Sequence, residues 1–176
     1  GGDEPLLTPG IIRFFMERGI CVMQRFPSVS AVNAMAPVFS EKEAIDTSNI
    51  KVVCDKDGNA LYASRTAIPF SGYSGQPCQK FVSIGIYTGT SLHFFVSTPP
   101  GNLEIAENFD LLRFLEHRKT VHFININEHV LSVDTPSDRE HVLHILNNRT
   151  LSPEKPLFSQ FEQNITHLPG GNTHEI

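Results

Sequence analysis

Apolar residues at Ile11, Ile12, Phe15 and Met16 form a helical stripe that Pro9 opens and Gly19 closes, so the spacing predicts a helix over 9–19. The next run, Ile20 to Phe26, is short and apolar and predicts a buried strand. Polar Glu41 to Ile45 predicts a short helical turn. Lys51–Cys54 and Asn59–Ser64 flank Asp55-Lys56-Asp57-Gly58, an Asp-Gly turn between two apolar runs that predicts a β-hairpin. Residues 69–80 are a loop by their Pro, Gly and Ser content. Phe81–Tyr87 predicts a strand and Thr90–Val96 a helix, which Pro99-Pro100-Gly101 breaks. Apolar positions 105, 109, 112 and 115 predict one helix from Leu103 to His117. Thr120–Ile126 predicts a strand, and Pro136 opens a last helix to about Leu146, with Asp134 or Thr135 as its cap. Past residue 147 the pattern fades, and 148–176 is expected to be a loosely ordered or disordered tail.

Helices alternating with short strands, plus one inserted hairpin, imply an α/β domain with a mostly parallel, mixed sheet and flanking helices. Ligands in such sheets sit at the carboxyl ends of strands, so acidic residues near strand ends are the first candidates for chemistry.

Composition narrows the classes. The chain is 40% hydrophobic and 19% charged, with a formal net charge of −5 and no block of like charges. Nucleic-acid binding calls for a basic face, and none is visible. No apolar run reaches the roughly 20 residues of a membrane helix, so no membrane partner is expected. Cys21, Cys54 and Cys78 are odd in number and far apart, which fits a reducing, cytoplasmic setting better than a disulfide framework or a zinc site. A weakly acidic protein that handles anions must bring local cations or a metal to its site.

Two aspartates then stand out, Asp3 in Gly-Gly-Asp-Glu-Pro and Asp134 in Val-Asp-Thr-Pro. A sheet could bring both to one edge, where paired carboxylates make a hard oxygen site for magnesium. Each is equally suited to cap a helix, and spacing alone leaves both readings open. Arg65, at a strand end before a loop, has the fork geometry to grip a carboxylate, or is a surface arginine. Glu107 and Asp110 fall at i and i+3, near one face of the expected helix, with Arg113 one turn on; ordinary ion pairing explains them as well. Tyr87 ends its strand and is either a core or a site tyrosine. His141 and His144 lack a third ligand and suit surface or capping roles.

Taken in order, these segments resemble the 3-deoxy-manno-octulosonate (KDO) cytidylyltransferases, or CMP-KDO synthetases. Gly2-Asp3-Glu4-Pro5-Leu6 is similar to the family's Gly-Asp-Glu-Pro motif. Lys51 to Asp55 through Gly58, Ala60-Leu61-Tyr62, Ser64-Arg65 and Ile68-Pro69 match its hairpin and following loop. Ile84-Gly85-Ile86-Tyr87 matches a strand, Leu103-Glu104, Glu107 and Leu112-Arg113 a helical motif, and Val133-Asp134-Thr135-Pro136 with Asp138 a further segment. The resemblance covers about residues 2–146, so the expected division is a partial cytidylyltransferase domain over 1–147 followed by the tail.

The resemblance implies a nucleotide-diphospho-sugar-transferase-like fold. It implies an enzyme in which the anomeric hydroxyl of a 3-deoxy-2-keto sugar acid attacks the α-phosphate of CTP, yielding CMP-KDO for lipopolysaccharide synthesis and releasing pyrophosphate. Asp3 and Asp134 would hold Mg2+ as the catalytic pair, and Arg65, Tyr87, Glu107 and Asp110 would lie around the sugar acid. A homodimer is expected. Val82-Ser83 stands where the family has Arg-His, and Asp110-Leu111 where it has Glu-Gln. These departures keep open a relative acting on another sugar acid, or a non-catalytic dimerisation module. Nothing in the sequence resembles the family's basic, glycine-containing nucleotide loop, and the chain opens on Gly1-Gly2-Asp3 without Met. The expectation is a fragment of the family sequence, truncated at its N-terminus and inactive as the isolated chain.

Overall fold

The computed structural model describes residues 5–70, 78–127, 133 and 136–149. Helix α1 spans Pro9–Arg25. Thr8 caps it, its hydroxyl accepting from the Ile11 N–H at 3.3 Å, and Pro9 sits in the first turn, where an absent N–H breaks no bond. The helix therefore continues through Ile20–Arg25, and the expected strand there is corrected. Val22 and Met23 extend the stripe of Ile11, Phe15 and Gly19 onto one sheet face. Gly19 is a contact point and not a stop: a Cβ there would lie 2.4 Å from Ile86 Cδ1, so the missing side chain lets the helix approach the sheet. The chain leaves the helix at Phe26, directly before Pro27, whose ring disfavours helical backbone in the preceding residue.

Strand β1 (Val29–Pro37) follows, a strand the hydrophobic pattern did not single out. Next come α2 (Glu41–Ile45), β2 (Lys51–Cys54) and β3 (Ala60–Ser64). The turn joining β2 and β3 has Gly58 at φ 85, and Asp55 Oδ1 accepts from the N–H groups of Asp57 and Asn59. Strand β4 (Gln79–Tyr87) begins two residues before the expected start at Phe81, and α3 is Gly89–Ser97.

The single helix expected from Leu103 to His117 is two, α4 (Asn102–Glu107) and α5 (Leu112–Glu116). Asn108 turns left-handed between them at φ 48. Strand β5 (Thr120–Asn125) and helix α6 (Pro136–Arg149) complete the described chain. Residues 150–176, most of the expected tail, lie outside the described residues.

The sheet is mixed, as expected, in the order β3-β2-β4-β1-β5, but it is mostly antiparallel and not mostly parallel, because the inserted hairpin and β4 both run against their neighbours. Parallel pairing is confined to β1 with β5, and the other three pairings are antiparallel. One face carries α1 over Val32, Ala34, Val82 and Ile124. The other packs Ala31, Val121 and Phe123 beneath Phe109, Leu112 and Phe114 of the α4–α5 region. The β2–β3 hairpin curls over this second face until its tip meets β5, with the Phe123 N–H donating to the Gly58 carbonyl at 2.8 Å and Asn59 bridging to His122. The edge of β5 is thereby covered.

Candidate functional site

Arg65, at the end of β3, is a knot of hydrogen bonds. Its Nε donates to the Glu107 carbonyl at 2.7 Å and its Nη2 to the Asn108 carbonyl at 3.0 Å, while Nη1 reaches the Thr47 carbonyl at 2.8 Å. The first two are carbonyls that a helix end leaves without partners, so Arg65 caps the C-terminus of α4. This cap, with left-handed Asn108, is why Leu103–His117 breaks into two helices. The break in turn corrects the shared helical face of Glu107 and Asp110: Glu107 ends α4, and Asp110 lies in the turn before α5.

Glu107 faces back to β3. Its Oε2 accepts from the Arg65 backbone N–H at 2.9 Å and its Oε1 from the Tyr62 hydroxyl at 3.2 Å. Burial pushes this carboxyl up, but the bonds from Arg65, Ser64 and Tyr62 outweigh it and hold Glu107 below the usual glutamate range. Lys51 supports the same corner from inside the protein. Its ammonium, fully buried, donates to the carbonyls of Asp46 at 2.9 Å, Asn49 at 2.7 Å and Arg65. All three of its protons are thus spent on main chain.

Tyr87 closes β4 on the sheet face that α4 and α5 cover, its ring 6.3 Å from that of Phe114. Its hydroxyl accepts from Asn33 Nδ2 at 3.3 Å, and Asn33 lies buried in the middle of β1. Asp110 is within electrostatic reach of Tyr87 and of Arg113. Arg113 is itself committed to structure: it pairs with Glu104 at 2.5 Å and donates to the Phe95 and Thr98 carbonyls.

The 107–110 turn thus joins two groups, Arg65–Tyr62–Glu107 on one side and Asn33–Tyr87 near Asp110 on the other. Four of the expected site residues, Arg65, Tyr87, Glu107 and Asp110, converge on this turn. Asp3 and Asp134 lie outside the described residues. At the end where β1 and β5 finish, the Asn125 amide donates to Gln79 Oε1 at 3.3 Å. Among the described residues no group of three or more His, Cys, Asp or Glu is placed to hold a metal, and no helix is long and apolar enough to cross a membrane.

Sequence reasoning missed Asn33, Tyr62 and Lys51. The signal for Asn33 was present as one amide in the middle of Val-Ser-Ala-Val-Asn-Ala-Met-Ala. A lone polar residue in so apolar a run needs a buried partner.

Comparison with known proteins agrees with this architecture. The 3-deoxy-manno-octulosonate cytidylyltransferase of Geobacter sulfurreducens is 32% identical over 157 residues, a match covering 82% of this chain and 61% of the relative. That of Wolinella succinogenes is 33% identical over 151 residues, covering 82% and 60%. The chain thus spans about three-fifths of the length of the curated relatives it matches. A solved structure of CMP:2-keto-3-deoxy-manno-octonic acid synthetase complexed with CTP superposes with a TM-score of 0.71 at 25% identity, covering 84% of this chain and 60% of that one. The cytidylyltransferase family profile matches residues 1–121, which take in the Gly-Asp-Glu-Pro motif, the β2–β3 hairpin, Tyr87 and the 107–110 turn, and on that match the chain belongs to the cytidylyltransferase family.

Proposed function

We propose that this chain carries the metal and acceptor side of a 3-deoxy-manno-octulosonate cytidylyltransferase site, where a 3-deoxy-2-keto sugar acid is activated with CTP to give CMP-KDO for lipopolysaccharide synthesis. The observation that carries this reading is the match to two enzymes of that name across 82% of the chain. The anomeric hydroxyl of the acid attacks the α-phosphate of CTP, and pyrophosphate leaves. Little covalent work falls to the protein in such a displacement; positioning and charge neutralisation dominate. Tyr87 offers a hydroxyl to the acid, Asp110 and Glu107 accept from its hydroxyls, and the N–H groups that Arg65 has left suit its carboxylate.

Asp3 and Asp134 are hard oxygen donors of the kind magnesium takes, typically one or two carboxylates beside substrate phosphates, so the donor chemistry fits. Magnesium held there would supply neutralisation of the phosphate charge. The reading includes a homodimer in the cytoplasm.

The test is a fusion of this chain with the portion of the Geobacter sulfurreducens relative that the match leaves uncovered. Magnesium-dependent pyrophosphate release from CTP and KDO is expected from the fusion. It should be lost in Asp3→Asn and Asp134→Asn and absent from the chain by itself. A folded fusion that releases no pyrophosphate overturns the reading.

A further inference from the structure

We propose that Asn33 is a positioning residue for the acceptor, its buried amide holding the Tyr87 hydroxyl so that the phenol proton is turned toward an anionic oxygen of the sugar acid. The inference rests on the acceptor-site reading above. Both protons of Asn33 Nδ2 have partners, the Tyr87 hydroxyl oxygen and the Ile84 carbonyl, each at 3.3 Å. A phenol oxygen that accepts from an amide keeps its own proton to give elsewhere. The reverse bond, from the phenol to Asn33 Oδ1, spans 3.5 Å and is at the limit of hydrogen bonding.

The backbone around the pair is shaped for it. Asn33 lies directly across from Gly85 in the β1–β4 ladder, and the register shifts immediately after Asn33. A Cβ at Gly85 would lie 2.6 Å from Asn33 Nδ2 and 2.8 Å from Tyr87 Cε2. The missing side chain is therefore the slot in which the Tyr87 ring lies back across the strand to reach the amide. A glycine inside a strand weakens the ladder, and such positions mark a close approach. Burial pushes the Tyr87 phenol up and the Asn33 N–H draws it partly back, as expected when the amide donates to the phenol oxygen. An amide sealed in a sheet, 1% exposed, costs stability unless satisfied, and Tyr87 is one of its two partners.

The chain contains three tyrosines, Tyr62, Tyr73 and Tyr87. Incorporated 3-fluorotyrosine gives one 19F resonance each, assigned by Tyr→Phe substitution. In the presence of CTP and Mg2+, KDO is expected to shift the Tyr87 resonance saturably. Asn33→Leu, which removes the donor, and Asn33→Asp, which turns the phenol proton inward, should each weaken that response on the order of tenfold, the scale of one hydrogen bond to a charged group. Any response of the Tyr62 resonance, whose hydroxyl donates to Glu107, should be less affected by the Asn33 substitutions than that of Tyr87, and KDO binding by Asn33→Leu/Tyr87→Phe, followed by calorimetry, should be no weaker than by Tyr87→Phe alone. Should Asn33→Leu not fold, Asn33→Asp decides. Wild-type affinity in a folded Asn33 variant overturns this proposal alone. A wild-type Tyr87 resonance that ignores KDO overturns the acceptor reading and this proposal with it.

Discussion

At the scale of single residues, the corner made by Lys51, Arg65 and Glu107 shows charged groups spent on main chain. Arg65 reaches three carbonyls with a fixed fork, and lysine has no comparable geometry. Arg65→Lys is therefore expected to lower the free energy of unfolding by about 1–2 kcal/mol, read from urea denaturation. An unchanged urea midpoint would count against the cap on α4. Glu107 adds a pH signature. Its carboxyl ionises below its ordinary value of 4.5 because Arg65, Ser64 and Tyr62 favour the charged form more than burial opposes it. A carboxyl depressed in the folded state contributes stability above the ordinary value, and that contribution is lost as pH falls through the folded one. Urea midpoints followed from neutral pH into the acid range should fall, and Glu107→Gln should flatten that limb. An identical acid limb in the variant would mean that another group is responsible.

At the scale of elements, the errors of sequence reading share one cause: local signals were overruled by what lay across the fold. Gly19 reads locally as a helix stop, yet it is buried against Ile86 and Val32. Asn108 sits in an unbroken helical spacing, yet Arg65, far away in sequence, caps the chain there. The β2–β3 hairpin was legible because its turn chemistry is entirely local, in Asp55 and Gly58. The α1 interface gives a test. Alanine at 19 gains about 1 kcal/mol of helix propensity but must push aside the flexible end of Ile86. Gly19→Ala is expected to melt close to the wild type, whereas Gly19→Val, β-branched and larger, should lose about 1–3 kcal/mol by overpacking. Equal melting of the two variants would show that the helix does not press on the sheet at this point.

At the scale of the whole molecule, the acceptor half of the candidate site was legible as residue types in order, but its supporting residues were not. Tyr87 and Glu107 stand in motifs and Asp110 where the family has Glu, whereas Asn33 stands in none of those motifs and the supporting role of Lys51, within the hairpin motif, emerges only when the chain is folded. The same closure ties the molecule together. The hairpin pairs through β2 with β4 and through its tip with β5, so it spans the sheet and seals the face beneath. Cys54 lies under that seal, its Sγ 3.9 Å from Met35 Sδ, and burial, with Asp55 adding to it, pushes its thiol up to about 12. Cys78 is buried and Cys21 exposed. A free thiol titrates near 8.5, so at mildly alkaline pH Cys54 presents about three orders of magnitude less thiolate than an unfolded cysteine. Cys54 is half-buried on β2 itself, so full exposure of its thiol is expected to go with release of the hairpin from β4 and β5. Thiol labelling in native buffer should therefore show one prompt equivalent, abolished by Cys21→Ser. Cys54 should become reactive only in step with the loss of sheet structure in urea. Labelling of Cys54 well before that loss would mean that the hairpin opens by itself and that the sealed face is not one cooperative unit with the sheet.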